Sequence, residues 1–228
     1  MKSTGSAAKG WVGCVMLALL MAACRAPLRP ASHPSPTPGT VDELATAIAS
    51  DAKRSDHESD SRIRGELASD ASRDAEACLA RAPQAAACLY GRALAQGLEA
   101  RAHPTRAGEL LSSMLESLSS AEAADPHYDY GGPARVRSLV LVRAPGWPLG
   151  PGDAEAGLAA ARRAVTLQPR YPANLLALAE ALAKTGDPKG ARENYERARD
   201  AAQALPVSAD RDDWLREADE GLRHTRAD

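Results

Sequence analysis

The stretch from Gly152 to Pro206 reads GDAEAGLAAARRAVTLQPRYPANLLALAEALAKTGDPKGARENYERARDAAQALP, and it contains its own echo. Gly186-Asp187 opens a run with small or bulky residues at Ala191, Tyr195 and Ala198. Thirty-four residues earlier, Gly152-Asp153 opens another with Gly157, Ala161 and Ala164, closed by Pro169. The residue types explain the repeat. Small residues let two helices cross closely, a large residue at Tyr195 fills the gap beside them, and Gly-Asp makes the turn. The unit is a helix–turn–helix repeated at a fixed distance.

Thirty-four residues is the period of the tetratricopeptide repeat, which this stretch resembles. Outward from it the pattern weakens but persists. Thr40 with Glu43 forms a capping box ahead of an apolar face at Val41, Leu44, Ala45 and Ile48. The polar segment Asp51–Asp60 reads as a loop or frayed end. Further helices are expected over about 61–82, 84–102 and 105–124, broken at Pro83 and His103-Pro104. Aligning Pro83 with Pro169 sets Cys78 on the position of Ala164, Leu89 on Leu175 and Ala93 on Ala179. A last helix over 210–224, with Trp214, Leu215, Ala218 and Leu222 on one face, suits the cap that a stack of repeats needs. The expected fold is therefore all-α: a tetratricopeptide-like α-solenoid of about four antiparallel helix pairs over 41–228, with regular repeats at 153–206 and a C-terminal cap helix.

The start of the chain reads differently. Lys2 and Lys9 precede a thirteen-residue apolar run from Trp11 to Ala23. That is too short to cross ~30 Å of hydrocarbon as a helix but suits a signal-peptide core. The run ends Leu20-Met21-Ala22-Ala23-Cys24, which resembles the lipobox of bacterial lipoproteins. The resemblance implies cleavage after residue 23 and lipidation of Cys24. Arg25, where an Asp would favour retention at the inner membrane in that family, implies an outer-membrane anchor facing the periplasm. Residues 24–40 are rich in proline and form a solvated tether.

Cys14 leaves with the signal, so Cys78 and Cys88 remain. They stand ten residues apart, on either side of the Pro83 turn. An antiparallel helix pair brings them within bonding distance, and an oxidising compartment permits a disulfide. Two buried thiols acting as small apolar groups are the alternative. The five histidines show no ligand spacing with these cysteines, so no metal is expected.

Between the two halves lies an irregular segment: Tyr128-Asp129-Tyr130-Gly131-Gly132-Pro133-Ala134-Arg135, a short helix expected over 136–143, then Pro145-Gly146-Trp147-Pro148. Aromatic residues usually pack, so these loops are expected to fold back on the stack. With Gly152-Asp153, Pro169 and Asn174-Leu175-Leu176-Ala177-Leu178-Ala179, the segment resembles the T component lipoproteins of TRAP-type transporters. The resemblance covers about residues 125–200. It implies a lipid-anchored helical-repeat protein that associates with a periplasmic substrate-binding protein. Tyr128, Tyr130, Arg135 and Trp147 are the candidate residues of a partner or ligand face. The same residues also suit a plainer role, locking the irregular loops onto the core.

The formal charge of −2, with positive residues scattered among Asp and Glu, gives no concentrated basic face for nucleic acid. No nucleophile–base set, carboxylate pair or phosphate loop stands out, so neither catalysis nor a cofactor is expected. Two other functions remain open: a repeat scaffold in envelope assembly, and a binder of a hydrophobic small molecule.

Overall fold

The computed structural model describes residues 39–225. The signal peptide, the lipidation site Cys24 and the tether up to residue 38 lie outside the described residues. Among the described residues the architecture is all helical, with only an isolated bridge between Gly146 and Gly152. The helices are α1 (Val41–His57), α2 (Ser61–Arg81), α3 (Ala86–Ala102), α4 (Ala107–Ala124), α5 (Tyr128–Arg143), α6 (Ala154–Leu167), α7 (Pro172–Lys184), α8 (Pro188–Gln203) and α9 (Ala209–His224). A 3₁₀ turn at Pro104–Arg106 leads into α4. Consecutive helices pack as four antiparallel pairs, α1/α2, α3/α4, α5/α6 and α7/α8, and α9 covers the last pair. The fold is an α-solenoid of the tetratricopeptide type.

Local chemistry starts these helices where they start. Thr40 and Glu43 exchange hydrogen bonds in a capping box, at 2.7 and 3.3 Å. Asp153 and Asp187 accept from the backbone N–H of Ala156 and Gly190, at 3.0 and 2.8 Å. Pro172 and Pro188 occupy first-turn positions where no donor is lost. Gly186 sits at φ +85°, which lets α7 stop and α8 turn back.

Packing explains the small residues. Ala161, Ala164, Ala179, Ala191 and Ala198 have no exposed surface. A side chain on Gly157 would collide with Val142 at 2.7 Å, and one on Gly221 would run into the Tyr195 ring. Close helix crossing therefore needs those positions empty. Leu175, Leu176 and Leu182 fill the space between crossings, each stabilising the fold by about 2 kcal/mol through removal of apolar surface from water. Cys78, Leu89 and Ala93 are buried like the repeat positions they align with. Cys78 and Cys88 form a disulfide, with Cα atoms 5.3 Å apart, that ties the end of α2 to the start of α3.

Two expected boundaries are wrong. Asp51–Asp60, read as a loop or frayed end, is ordered helix as far as His57, and only Glu58–Asp60 is non-helical. The segment is polar but not unpacked. Ala52 rests on the Ile48–Leu98 cluster, and the carbonyl of buried Ser55 accepts from Arg101 at 3.1 Å. The helix expected over 136–143 is also longer. α5 runs from Tyr128, with a kink at Asp129–Gly131 and regular helix from Gly132 onward. Pro133 lies in the first turn after the kink, where its missing N–H breaks nothing.

Candidate partner-binding surface

The kink is an unusual piece of backbone. Asp129, Tyr130 and Gly131 lie at φ 48°, 57° and 82°. Only the glycine adopts such a conformation without steric penalty; the other two cost about 1–3 kcal/mol each. Hydrogen bonds compensate. The Arg135 guanidinium donates to the Asp129 carboxylate at 2.6 Å, to its carbonyl at 3.1 Å and to Asn174 Oδ1 at 3.1 Å. Asn174 Nδ2 donates to the carbonyls of Tyr130 at 2.9 Å and Ala164 at 3.0 Å. The Tyr90 hydroxyl completes the set by donating to the Asp129 carboxylate at 3.0 Å. Arg135 is thus buried and held by internal partners. Burial opposes its charge, but Tyr90, Asp129 and Tyr171 outweigh that and hold its pKa above the ordinary value. Burial likewise pushes the Tyr90 hydroxyl well above the usual tyrosine range.

What the kink presents outward is aromatic. The Tyr130 ring stacks on Tyr171 at 4.6 Å, and Tyr171 meets Trp214 edge-on at 5.3 Å. Arg135 lies 5.2 Å from the Tyr171 centroid and supports the ladder by cation–π attraction. Tyr130 remains 57% exposed. Tyr128 turns away from the ladder and packs edge-on against Tyr90 at 5.4 Å.

Three hollows open beside these residues and along the first helices of the pairs. One, of about 570 Å³, lies between α1, α3 and the kink, lined by Asp42, Thr46, Tyr90, Leu94 and Tyr128. A more apolar one, of about 460 Å³, includes Leu94, Leu98, Met114, Val140 and Pro145. The third is a notch of about 520 Å³ between α1 and α9, with Trp214 on its wall. Lys53 pairs with Asp210 across it, and His57 Nε2 approaches Asp213 at 3.5 Å. The first and last helices thereby meet through side chains.

Trp147 behaves differently from the other candidate aromatics. The expectation that it packs fails: it is 91% exposed, with Leu149 at 77%. The loop beneath them is nonetheless ordered by its own backbone. Gly152 N–H donates to the Pro145 carbonyl at 2.9 Å, Gly150 N–H to that of Gly146 at 3.3 Å, and Asp153 N–H to that of Leu141 at 2.9 Å. Trp147-Pro148 is a cis peptide. With these backbone groups satisfied locally, the loop has no need to bury its tip. The structure therefore brings Tyr128, Tyr130 and Arg135 together at one end of α5 and leaves Trp147 beyond the other.

Sequence reasoning missed Tyr90, Tyr171 and Asn174 as members of the cluster. The available signal was an asparagine set directly before the apolar pair Leu175-Leu176, because a buried amide must find partners. Among the described residues no group of His, Cys, Asp and Glu is arranged to hold a metal ion, and no helix is long and apolar enough to cross a membrane.

No family model and no curated protein sequence matches the chain. Among solved structures, a thermophilic TPR protein from Thermus thermophilus superposes with a TM-score of 0.54 at 20% identity, over 80% of this chain and 91% of that one. The class defined by fold and comparison together is a helical-repeat protein of the tetratricopeptide type.

Proposed function

We propose that this chain is a non-enzymatic, lipid-anchored envelope protein that binds a protein partner through its helical-repeat surface, as an accessory component of a TRAP-type solute importer. The observation that carries partner binding is the Trp147 loop. A tryptophan and a leucine held out in water by a hydrogen-bonded loop contribute little to the fold, and aromatic anchors of this kind are enriched at protein interfaces. The importer assignment rests on the Gly131-Gly132-Pro133-Ala134-Arg135 and Pro145-Gly146-Trp147-Pro148 segments, and the anchor on the run ending at Cys24. The partner is a periplasmic substrate-binding protein.

The test is affinity capture of the full chain from gently solubilised membranes, with mass spectrometry of what it retains, beside a Trp147→Ala variant. A substrate-binding protein and its permease, lost in the variant, support the reading. Pilus or outer-membrane assembly proteins in their place would replace it with an envelope scaffold. A second reading, a hydrophobic ligand binder, is favoured by the 460 Å³ apolar hollow. A co-purifying lipid-like mass in native mass spectrometry would support it.

A further inference from the structure

We propose that the strip running from Tyr130 over Tyr171 and Trp214 into the notch between α1 and α9 is a docking site for an extended segment of a partner protein carrying lysine or arginine. The proposal rests on reading the chain as a protein-binding stack, and it adds the chemistry of what is bound. It concerns a surface at the opposite end of α5 from Trp147.

Two independent features meet there. The first is the ladder. Tyr130, Tyr171 and Trp214 come from three separate parts of the chain yet contact in series, at 4.6 and 5.3 Å. The outer residue is left 57% exposed although the backbone beneath it is strained to hold it there. The exposed Tyr130 ring takes the flat side of proline, of a peptide group or of a guanidinium, and the partly buried Tyr171 and Trp214 extend the aromatic strip behind it.

The second feature is charge. Trp214 is both the last rung of the ladder and a wall of the notch. The notch carries Asp210, Asp213, Glu217 and Glu220 on α9 and Asp56 on α1, against Lys53 and His57 on α1 and Arg216 on α9, which donates to Asp213 at 2.7 Å. The Lys53 ammonium already there shows what the notch accepts. Lys53 reaches across to Asp210, and His57 lies 3.5 Å from Asp213. The Lys53–Asp210 pair is exposed, at 43% and 58%, and exposed pairs contribute little and exchange readily. The α1 side chains therefore act as replaceable occupants. An incoming basic residue takes the place of Lys53 while the neighbouring residues of its chain lie along the rings. An acidic segment is repelled by the same wall.

The test is fluorescence anisotropy of the full chain with two labelled decapeptides, alternating Pro-Arg and alternating Pro-Glu. The Pro-Arg peptide is expected to bind and the Pro-Glu peptide not. The double variant Asp210→Asn/Glu220→Gln, at two exposed positions, should weaken Pro-Arg binding about fivefold or more, and Lys53→Ala should tighten it about two- to fivefold. Trp214→Ala should weaken it further. Because Trp214 also packs against the core of the last repeat, Tyr130→Ala serves as the second ladder variant and should act in the same direction. Equal binding of both peptides, no binding of either, or indifference to the charge variants overturns the proposal. Peptide binding by a chain that captures no transporter component leaves the strip standing and sinks the importer reading. Capture of that component by a chain indifferent to both peptides sinks the strip alone.

Discussion

Arg135 grips Asp129 twice across a left-handed kink: it donates to the carboxylate at 2.6 Å and to the backbone carbonyl at 3.1 Å. The pair joins the two arms of α5 and, through Asn174, ties them to α7. Arg135 is buried but Asp129 is partly exposed, so removing the guanidinium leaves a carboxylate that water reaches and chiefly forfeits the bonds across the kink. Arg135→Ala is therefore expected to destabilise the fold by about 2–3 kcal/mol, measured as a fall in the urea midpoint at unchanged slope. Tyr90→Phe, which removes one hydrogen bond to the same carboxylate, should cost only about 1 kcal/mol.

The disulfide closes a short loop between residues 78 and 88. On the chain-entropy account, a loop of that length stabilises by about 3 kcal/mol. The doubly substituted Cys78→Ala/Cys88→Ala protein should lose about that much in denaturant titrations. Reductant should lower the melting temperature of the wild type and leave the variant unchanged.

Gly221 places the cap helix directly on Tyr195, where an added Cβ would overlap the ring. The gain in helix propensity from alanine, about 1 kcal/mol, does not offset a clash with a packed ring. Gly221→Ala should loosen α9 selectively. Limited proteolysis should then cut near residues 204–208 well before the rest of the stack.

Alkaline pH provides a further check. Burial pushes the Tyr195 hydroxyl up to about 12, with Glu180 and Glu217 adding to it, and Tyr90 is raised further. An unfolded tyrosine ionises near 10. Below about pH 10 both states are protonated and nothing is lost. Between about 10 and 12 only the unfolded chain releases the proton, so stability falls with rising pH. Ultraviolet absorbance of phenolate should show tyrosines still un-ionised above about pH 11, and Tyr195→Phe should remove one of them.

Trp147→Ala should leave stability within about 0.5 kcal/mol of wild type, since the side chain is 91% exposed. A larger loss in equilibrium unfolding would mean that the loop tip is part of the fold and not a free surface.

How much of this is legible in the sequence depends on which interactions are local. The repeat at 153–206 is readable because its determinants recur at a fixed spacing: Ala161, Ala164, Ala191 and Ala198 are all fully buried, and Gly186 makes its turn. The partial alignment of the N-terminal half is enough to place Cys78, Leu89 and Ala93 in the core. The kink at Asp129–Gly131 is not readable, because nothing local favours two non-glycine residues at positive φ. Its partners, Tyr90 and Asn174, lie 39 and 45 residues from Asp129 in the chain. The helical run to His57 is hidden by polarity, since Ala52 and Ser55 carry its inward contacts. Trp147 escapes a rule of composition: aromatic rings usually pack, but a loop that satisfies its own backbone is under no compulsion to bury them.

A stack of repeats ordinarily frays from both ends, because each terminal unit is held by one neighbour only. The Cys78–Cys88 bond falls on the junction between the first pair and the second. It adds a second covalent tie across the turn that already joins α2 to α3, and leaves α1 and the N-terminal part of α2 to be held by packing and side-chain contacts. Among the described residues, the turn between the first pair and the second is therefore the one junction closed by a covalent bond besides the backbone, and reductant removes that bond.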